Sequence, residues 1–193
     1  MNGRETPLTN PPNRYGIVPQ FLHWVTVVLV IVAWTLGTFG DELPKGEGRA
    51  TALLIHISAG LLIVVTLIVR LAWRVAVPAP PPESNQFGRW LGRFADPSAR
   101  LAHYTLYALL IAVPIAGIIE QFARGDPLPL LGIGEITSPW IQDRAFAHSV
   151  KEIHEFAAHV LVIVAIFHTA AALIHHFVFR DNTLIRLLPR GKR

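Results

Sequence analysis

The sequence has no cysteine, and Asp, Glu, Lys and Arg together make up only 16% of its 193 residues. Without a thiol there is no disulfide, no zinc–thiolate site, no iron–sulfur cluster and no cysteine nucleophile. The thioether attachment of a c-type haem, which needs Cys-x-x-Cys-His, is excluded as well. The shortage of charge is equally informative, because a soluble domain carries about a quarter charged residues. Combined with 52% hydrophobic residues and a mean hydropathy of +0.43, it points to lipid as the solvent and away from a disordered chain. Against these deficits stand nine His, beside thirteen acids and seventeen Lys plus Arg.

Four apolar segments are long enough to cross a hydrocarbon core of about 30 Å, which takes roughly 20 helical residues. They run from about Val18 to Phe39, Ala52 to Leu71, Arg100 to Ile119 and Ile153 to Phe179. The first does not read as a signal peptide, since it follows a polar Asn10-Pro-Pro-Asn-Arg14 stretch and lacks a small-residue cleavage site. Breakers fall in the connections: Gly40 to Gly48, Pro78 to Pro82, and Pro127, Pro129 and Gly132. Pro114, inside the third span, is tolerable in a membrane helix, where neighbours satisfy the freed carbonyl. No repeat and no second soluble domain is visible. The expected fold is an all-α, four-helix integral membrane bundle, a single domain over residues 1–193.

Lys and Arg in short connections mark the cytoplasmic side. Twelve of them fall on one side: Arg4, Arg14, Arg70, Arg74, Arg89, Arg93, Arg100, Arg180, Arg186, Arg190, Lys192 and Arg193. Five fall on the other, Lys45, Arg49, Arg124, Arg144 and Lys151, beside eight acids between Asp41 and Glu152. Both termini are therefore expected in the cytoplasm. The net charge of +4 is a topology signal and does not call for a nucleic-acid partner, because the basic residues border spans and form no separate stripe.

A histidine inside a span is costly and functional by default. For any single one, an interhelical hydrogen bond or a snorkelling interfacial position is an equally ordinary role. His23 stands near the start of the first span, His56 near the start of the second, and His154 and His168 both on the fourth. At 100° per residue, His154 and His168 lie about 40° apart on one helix face and about 21 Å apart along the axis. The second and fourth helices run the same way, so His56 and His154 meet at the outer depth. The first runs the opposite way, which levels His23 with His168. Two imidazoles facing across a gap suit a six-coordinate b-type haem, with Nε2 on each side of the iron. Two such sites about 20 Å apart would form a transmembrane electron wire.

Zinc or a dinuclear carboxylate site is the other metal reading, but Glu155 and Glu120 are the only acids in the spans. Gly37, Ala59, Gly60 and Ala165 would open room for macrocycles or serve ordinary close packing. His175 lies about 10 Å beyond His168 toward the cytoplasm and could be an alternative ligand, a quinone contact or a propionate contact. His103 and His176, at the same interface, have quinone or propionate contact and plain interfacial roles open to them. His159, turned about 140° from His154, should face another helix or lipid, and His148 should lie in a loop before the fourth helix. Arg14, Arg70 and Arg74 are candidate propionate partners that also satisfy the positive-inside pattern unaided.

From Tyr15 to Pro189 the chain resembles the bacterial cytochrome b561 family. The likeness rests on His23-Trp24, on Ile55-His56-Ile57-Ser58-Ala59-Gly60, and on Lys151-Glu-Ile-His154-Glu155 followed by His168-Thr-Ala-Ala-Ala-Leu. The closing His175-His176-Phe-Val-Phe-Arg180-Asp181-Asn-Thr-Leu-Ile-Arg186 is its most distinctive part. The resemblance implies a four-helix protein of the bacterial inner membrane with two non-covalent b haems, exchanging electrons with quinone. In the superoxide oxidase type, an electron passes from superoxide on the periplasmic face to ubiquinone. Carried over by position, His56 and His154 would hold the periplasmic haem, and His23 and His168 the cytoplasmic one.

A superoxide-collecting face should be locally positive, and the acidic excess of the outer connections runs against that. Arg124, which opens an Arg-Gly-Asp-Pro stretch, and Lys151 are the candidate basic rim, with interfacial anchoring as their ordinary role. The alternative function is an electron-carrier or anchor subunit linking quinone to a partner dehydrogenase or hydrogenase, docked on the connection from about residue 120 to 152. A haem-free channel or transporter is the remaining reading.

Overall fold

The computed structural model describes residue 10, residues 14–81 and residues 95–188. Arg4, Arg89, Arg93, Arg190, Lys192 and Arg193, which enter the charge count above, lie outside the described residues. Four long helices carry the fold: α1 (Ile17–Phe39), α2 (Glu47–Ala76), α3 (Ala95–Ala123) and α4 (Arg144–Phe177). Each includes a stretch long and apolar enough to cross a membrane. α1 packs mainly on α2, and α3 mainly on α4; lighter α2–α3 and α1–α4 contacts close the bundle.

The core joins the two hairpins. Ile63 and Leu67 of α2 meet Leu110 and Val113 of α3 and Leu161 of α4, with Leu29, Val30 and Ala33 of α1 packed against them. Val28, Ile31, Val65, Ile68, Ile163 and Ile166 point outward and are exposed. In water, every apolar Å² left in this state would forgo about 25 cal/mol. Against lipid tails the same face costs nothing, which makes this a multi-pass membrane protein.

The helices overrun the expected spans. α4 has 34 residues, about 51 Å of helix against a hydrocarbon core of about 30 Å. Its charged first turns, Arg144 to Glu152, therefore project beyond the apolar stretch, which is why hydropathy alone missed them. His148 accordingly sits on α4 and not in a loop, with Nε2 3.5 Å from Glu152. The third connection shrinks to residues 124–143.

That connection is tied down at both ends. The Asp143 carboxylate caps α4 by accepting from the Phe146 N–H at 3.0 Å. The Asp143 N–H donates to the Ala123 carbonyl at 2.9 Å, and Gln142 Nε2 donates to the Arg124 carbonyl at 2.9 Å. Gly125, at φ +77°, makes the tight exit from α3 that this closure requires. Between the ties, β1 (Leu128–Pro129) pairs antiparallel with β2 (Glu135–Ile136). The start of α4 is thus fixed against the end of α3, which sets the depth of the histidines on α4.

At the end of the bundle where α1 begins and α4 finishes, here the terminal end, the segment after α4 folds back over α1. The Tyr15 N–H and Gln20 Nε2 donate to the Arg186 carbonyl, both at 3.3 Å. Trp24 Nε1 donates to Leu187, and Arg14 to Leu188, both at 3.2 Å. The Arg186 guanidinium reaches the Pro81 carbonyl at 2.9 Å. Gln20, a buried polar residue one turn before His23, is held there by its bond to the Arg186 carbonyl and by a shorter one from its Nε2 to the Tyr15 carbonyl at 2.9 Å.

Candidate haem sites

At the opposite, distal end, His56 of α2 and His154 of α4 face each other across the bundle. Their ring centroids are 6.0 Å apart and their planes cross at 83°. Each ring is anchored from behind on the neighbouring helix. His56 Nδ1 donates to the Ala33 carbonyl of α1 at 2.8 Å, and His154 Nδ1 donates to the Val113 carbonyl of α3 at 2.9 Å. A backbone carbonyl can only accept, so Nδ1 carries the proton and Nε2 keeps its lone pair. Neither Nε2 has a hydrogen-bond partner among the described residues.

This arrangement fits an iron between the rings. An imidazole nitrogen binds a first-row metal at about 2.0 Å, which puts the centroids of two opposed axial imidazoles roughly 6 Å apart. A hydrogen bond from the second ring nitrogen to a carbonyl is the usual support for a metal-bound histidine. The rings open into a cavity of about 700 Å³ that Gly37, Gly60, Pro114 and Gly117 also line. A Cβ at Gly60 would meet nothing within 4 Å, so that glycine leaves open space in the cavity wall. Ala59, a second candidate for making room, is buried in helix packing and does not line the cavity.

Lys45, Arg49, Arg124 and Lys151 ring the cavity together with Asp41, Glu120 and Glu155. Arg49 pairs with Asp41 and Arg124 with Glu120, while Lys151 lies 3.8 Å from Asp41 and 3.3 Å from Glu155. Lys45 has no ion pair among the described residues. Beside the cavity, Arg124, Arg144, His148 and Lys151 surround an open pocket of about 450 Å³ with Asp126 as its one acid. The excess of acid counted over the outer connections is therefore not spread evenly. His159 packs its ring 6.1 Å from Trp34 of α1, and its Nδ1 donates to the Glu155 carbonyl of its own helix at 2.6 Å.

At the terminal end, four helices contribute one group each. His23 of α1, His103 of α3 and His168 of α4 lie within electrostatic reach of Arg70 of α2, and His23 lies within reach of both other histidines. The ring stacked edgewise on His168 is that of His103, at 5.2 Å between centroids. The structure thus gathers His23 and His168 in one cluster and adds His103, which depth alone had placed at the interface. His23 Nδ1 is buried with no hydrogen-bond partner among the described residues. Arg70 lies over the Tyr107 ring at 5.6 Å and has no ion pair among the described residues. An unpaired cation within a span calls for an anion, and a carboxylate-bearing group such as a haem supplies one. Arg74 is also within reach of His103.

Among the described residues, no three or more His, Asp or Glu side chains are gathered as a bare metal ion would require. The opposed His56–His154 pair instead matches a group that brings its own equatorial nitrogens.

Further toward the terminal end, His175 Nδ1 donates to the Asp181 carboxylate at 2.5 Å, while His176 packs beside Phe177 with its Nδ1 unpartnered among the described residues. Burial pushes the Asp181 carboxyl up, but hydrogen bonds from His175 and from the backbone and side chain of Thr183 outweigh it and hold it below the usual carboxylate range. A carboxyl depressed on folding stabilises the protein above its unfolded value, and that contribution is lost as pH falls through the folded one. Asp181→Asn should therefore lower stability by roughly 1–2 kcal/mol at neutral pH. In thermal melts of the purified protein, the difference from the parent should vanish in acid.

Comparison with known proteins agrees with this geometry. The chain is 32% identical to cytochrome b561 homolog 2 of Escherichia coli (strain K12), with 95% of each chain covered. It is 30% identical to a probable superoxide oxidase CybB of Yersinia pestis, over 93% of this chain and 98% of that one. A shorter match, 41% identical over 59 residues, links 26% of this chain to a probable Ni/Fe-hydrogenase 1 B-type cytochrome subunit of Escherichia coli (strain K12), covering 25% of it. The prokaryotic cytochrome b561 family profile matches residues 14–190. With four membrane-crossing helices and a profile match along nearly its whole length, the chain belongs to the prokaryotic cytochrome b561 family, whose members are electron-transfer proteins of the membrane.

Proposed function

We propose that the protein is a self-contained superoxide:ubiquinone oxidoreductase of the bacterial inner membrane, with two b haems and both termini in the cytoplasm. The distal end then faces the periplasm. His56 and His154 hold the periplasmic haem, and His23 and His168 the cytoplasmic one. The observation that carries the reading is the opposed His56–His154 pair in a cavity rimmed by lysine and arginine. A b-type haem bound between such pairs supplies one-electron redox chemistry.

The protein's own groups divide the remaining work. The cationic cluster of Arg124, Arg144 and Lys151, with Lys45 on the cavity rim, draws in a small anion by focusing its field. Two superoxide anions each give up one electron and leave as O2. Ubiquinone takes those two electrons, and two protons from the cytoplasmic side, to become ubiquinol. His175 and its Asp181 partner, with His103 and His176 nearby on the same side, are the groups that would contact the quinone and hand on protons. Arg70, Arg74 and Arg14 are the cations available to propionates there.

Rapid mixing of the purified protein with superoxide tests the reading. The haem absorbance should shift to the reduced form with no partner protein present, and haem that stays oxidised would overturn it. The double variant Arg124→Glu and Lys151→Glu should slow that reduction about tenfold at low ionic strength, with the difference shrinking as salt is added.

The second reading, a carrier subunit for a periplasmic or membrane dehydrogenase or hydrogenase, draws on two observations. One is the partial similarity to a hydrogenase cytochrome subunit. The other is the distal connection, where Ile133 and Ile141 are 89% and 96% exposed. Under it, the haem would be reduced only when such a partner is added.

A further inference from the structure

The two hairpins carry the distal histidines in the same way. In α1–α2, His56 donates to Ala33, and one turn beyond that acceptor stands Gly37. In α3–α4, His154 donates to Val113, and one turn beyond stands Gly117. A Cβ on Gly37 would come within 2.8 Å of His56 Cε1 and 3.1 Å of its Nδ1. A Cβ on Gly117 would come within 3.2 Å and 3.4 Å of the same two atoms of His154. The same edge of each imidazole thus lies on a glycine Cα.

The correspondence runs the length of the bundle. His23, Ala33 and Gly37 each precede His103, Val113 and Gly117 by 80 positions, and His56 and Arg70 precede His154 and His168 by 98. The two hairpins thus place these five pairs of residues at two constant offsets, so the carbonyl, the glycine and the distal histidine stand in the same order in each.

We propose that Gly37 and Gly117 are positioning residues for the distal haem, fixing the tilt and rotation of its two axial imidazoles. The inference rests on the reading that His56 and His154 are those ligands. Each ring is bounded by its own helix, by the carbonyl that takes its Nδ1 proton and by the glycine beside that carbonyl. A methyl group at Gly37 has to push the ring off the carbonyl or turn it about χ2, and one at Gly117, a looser contact, asks its ring to give by a few tenths of an ångström in the same two directions. Both moves weaken the hydrogen bond that strengthens Nε2 as a donor, and both change the 83° between the ligand planes. Hydrogen bonding around the ligands is one of the means by which a protein sets a haem potential.

The test uses the purified, haem-loaded full chain, with Gly37→Ala and Gly117→Ala compared against Gly134→Ala, where a Cβ meets nothing within 4 Å. Three quantities are read: haem retention, the midpoint potential of each haem by optical titration, and the low-spin EPR signal, which depends on the angle between ligand planes. The first two variants should shift the potential and EPR signal of the distal haem alone and weaken its retention about 10- to 100-fold. Gly134→Ala should change neither haem. Unaltered EPR and potential in both cavity variants would overturn the proposal. Should Gly37→Ala fail to accumulate, Gly117→Ala, the looser contact, decides alone. His154→Ala separates the two levels of inference: full haem retention there sinks the ligand reading itself, whereas loss of one haem alongside silent glycine variants sinks only the positioning role.

Discussion

His154→Ala is expected to halve the haem content of the purified protein, from two groups per chain to one, counted as the pyridine haemochrome. The surviving group should be the terminal one, with its spectrum and potential unchanged. Ligand and support are inseparable at this site, because the ring is held by Val113 from behind and Gly117 from the side. Removing it would leave an iron there with the His56 imidazole alone, in a cavity of about 700 Å³. His159 also lines the cavity, but it stands about 140° round α4 from His154 and its ring packs on Trp34 of α1, so it does not take the vacated place. His56→Ala should give the same result from the opposite side. Two haems retained in either variant would show that the iron is held by other residues.

The distal pair was legible in the sequence because it depends only on helical phase and direction. His56 and His154 are both early in helices that run the same way, so equal depth follows from rise per residue, and one apolar face follows from rotation per residue. The supports of the pair were not legible. Ala33 and Val113 act through backbone carbonyls, which every residue possesses, so no side-chain type marks them. Gly37 reads as a small residue that makes room for a macrocycle, yet its Cα lies against His56. Gly117 does the same for His154 and had no sequence signal apart from its place one turn beyond Val113.

Depth reasoning levels His23 with His168 but sets His103 farther out, at the interface with His176, whereas the structure brings all three together. Three histidines at one level are resolved only by how the helices pack, and α3 packs on α4 far more closely than α1 does. The helix ends were missed for a different reason. Arg144 to Glu152 is too charged to read as membrane, and its helicity is fixed by the Asp143 cap and the tie to Ala123, both invisible to hydropathy.

His168→Ala is expected to separate the two halves of the electron path. His168 lies about 21 Å from His154 along α4, far enough that the distal haem alone does not reach a quinone bound near His175. In the variant, superoxide should still reduce the distal haem, because every residue of the distal cavity is untouched. Turnover with ubiquinone should fall to the background rate of the two reagents mixed without protein. His103 is the control for this assignment. It sits 5.2 Å from His168, so a simple packing defect in the cluster would appear in His103→Ala as well. If His103 is a neighbour and not a ligand, its alanine variant keeps both haems, and any loss of turnover appears as weaker quinone binding. If instead His103→Ala empties the terminal site while His23→Ala leaves it filled, the axial pair is His103 with His168. The inner site would then be built across the tight α3–α4 pair and not across the loose α1–α4 contact, and the terminal histidines would have to be reassigned on that basis.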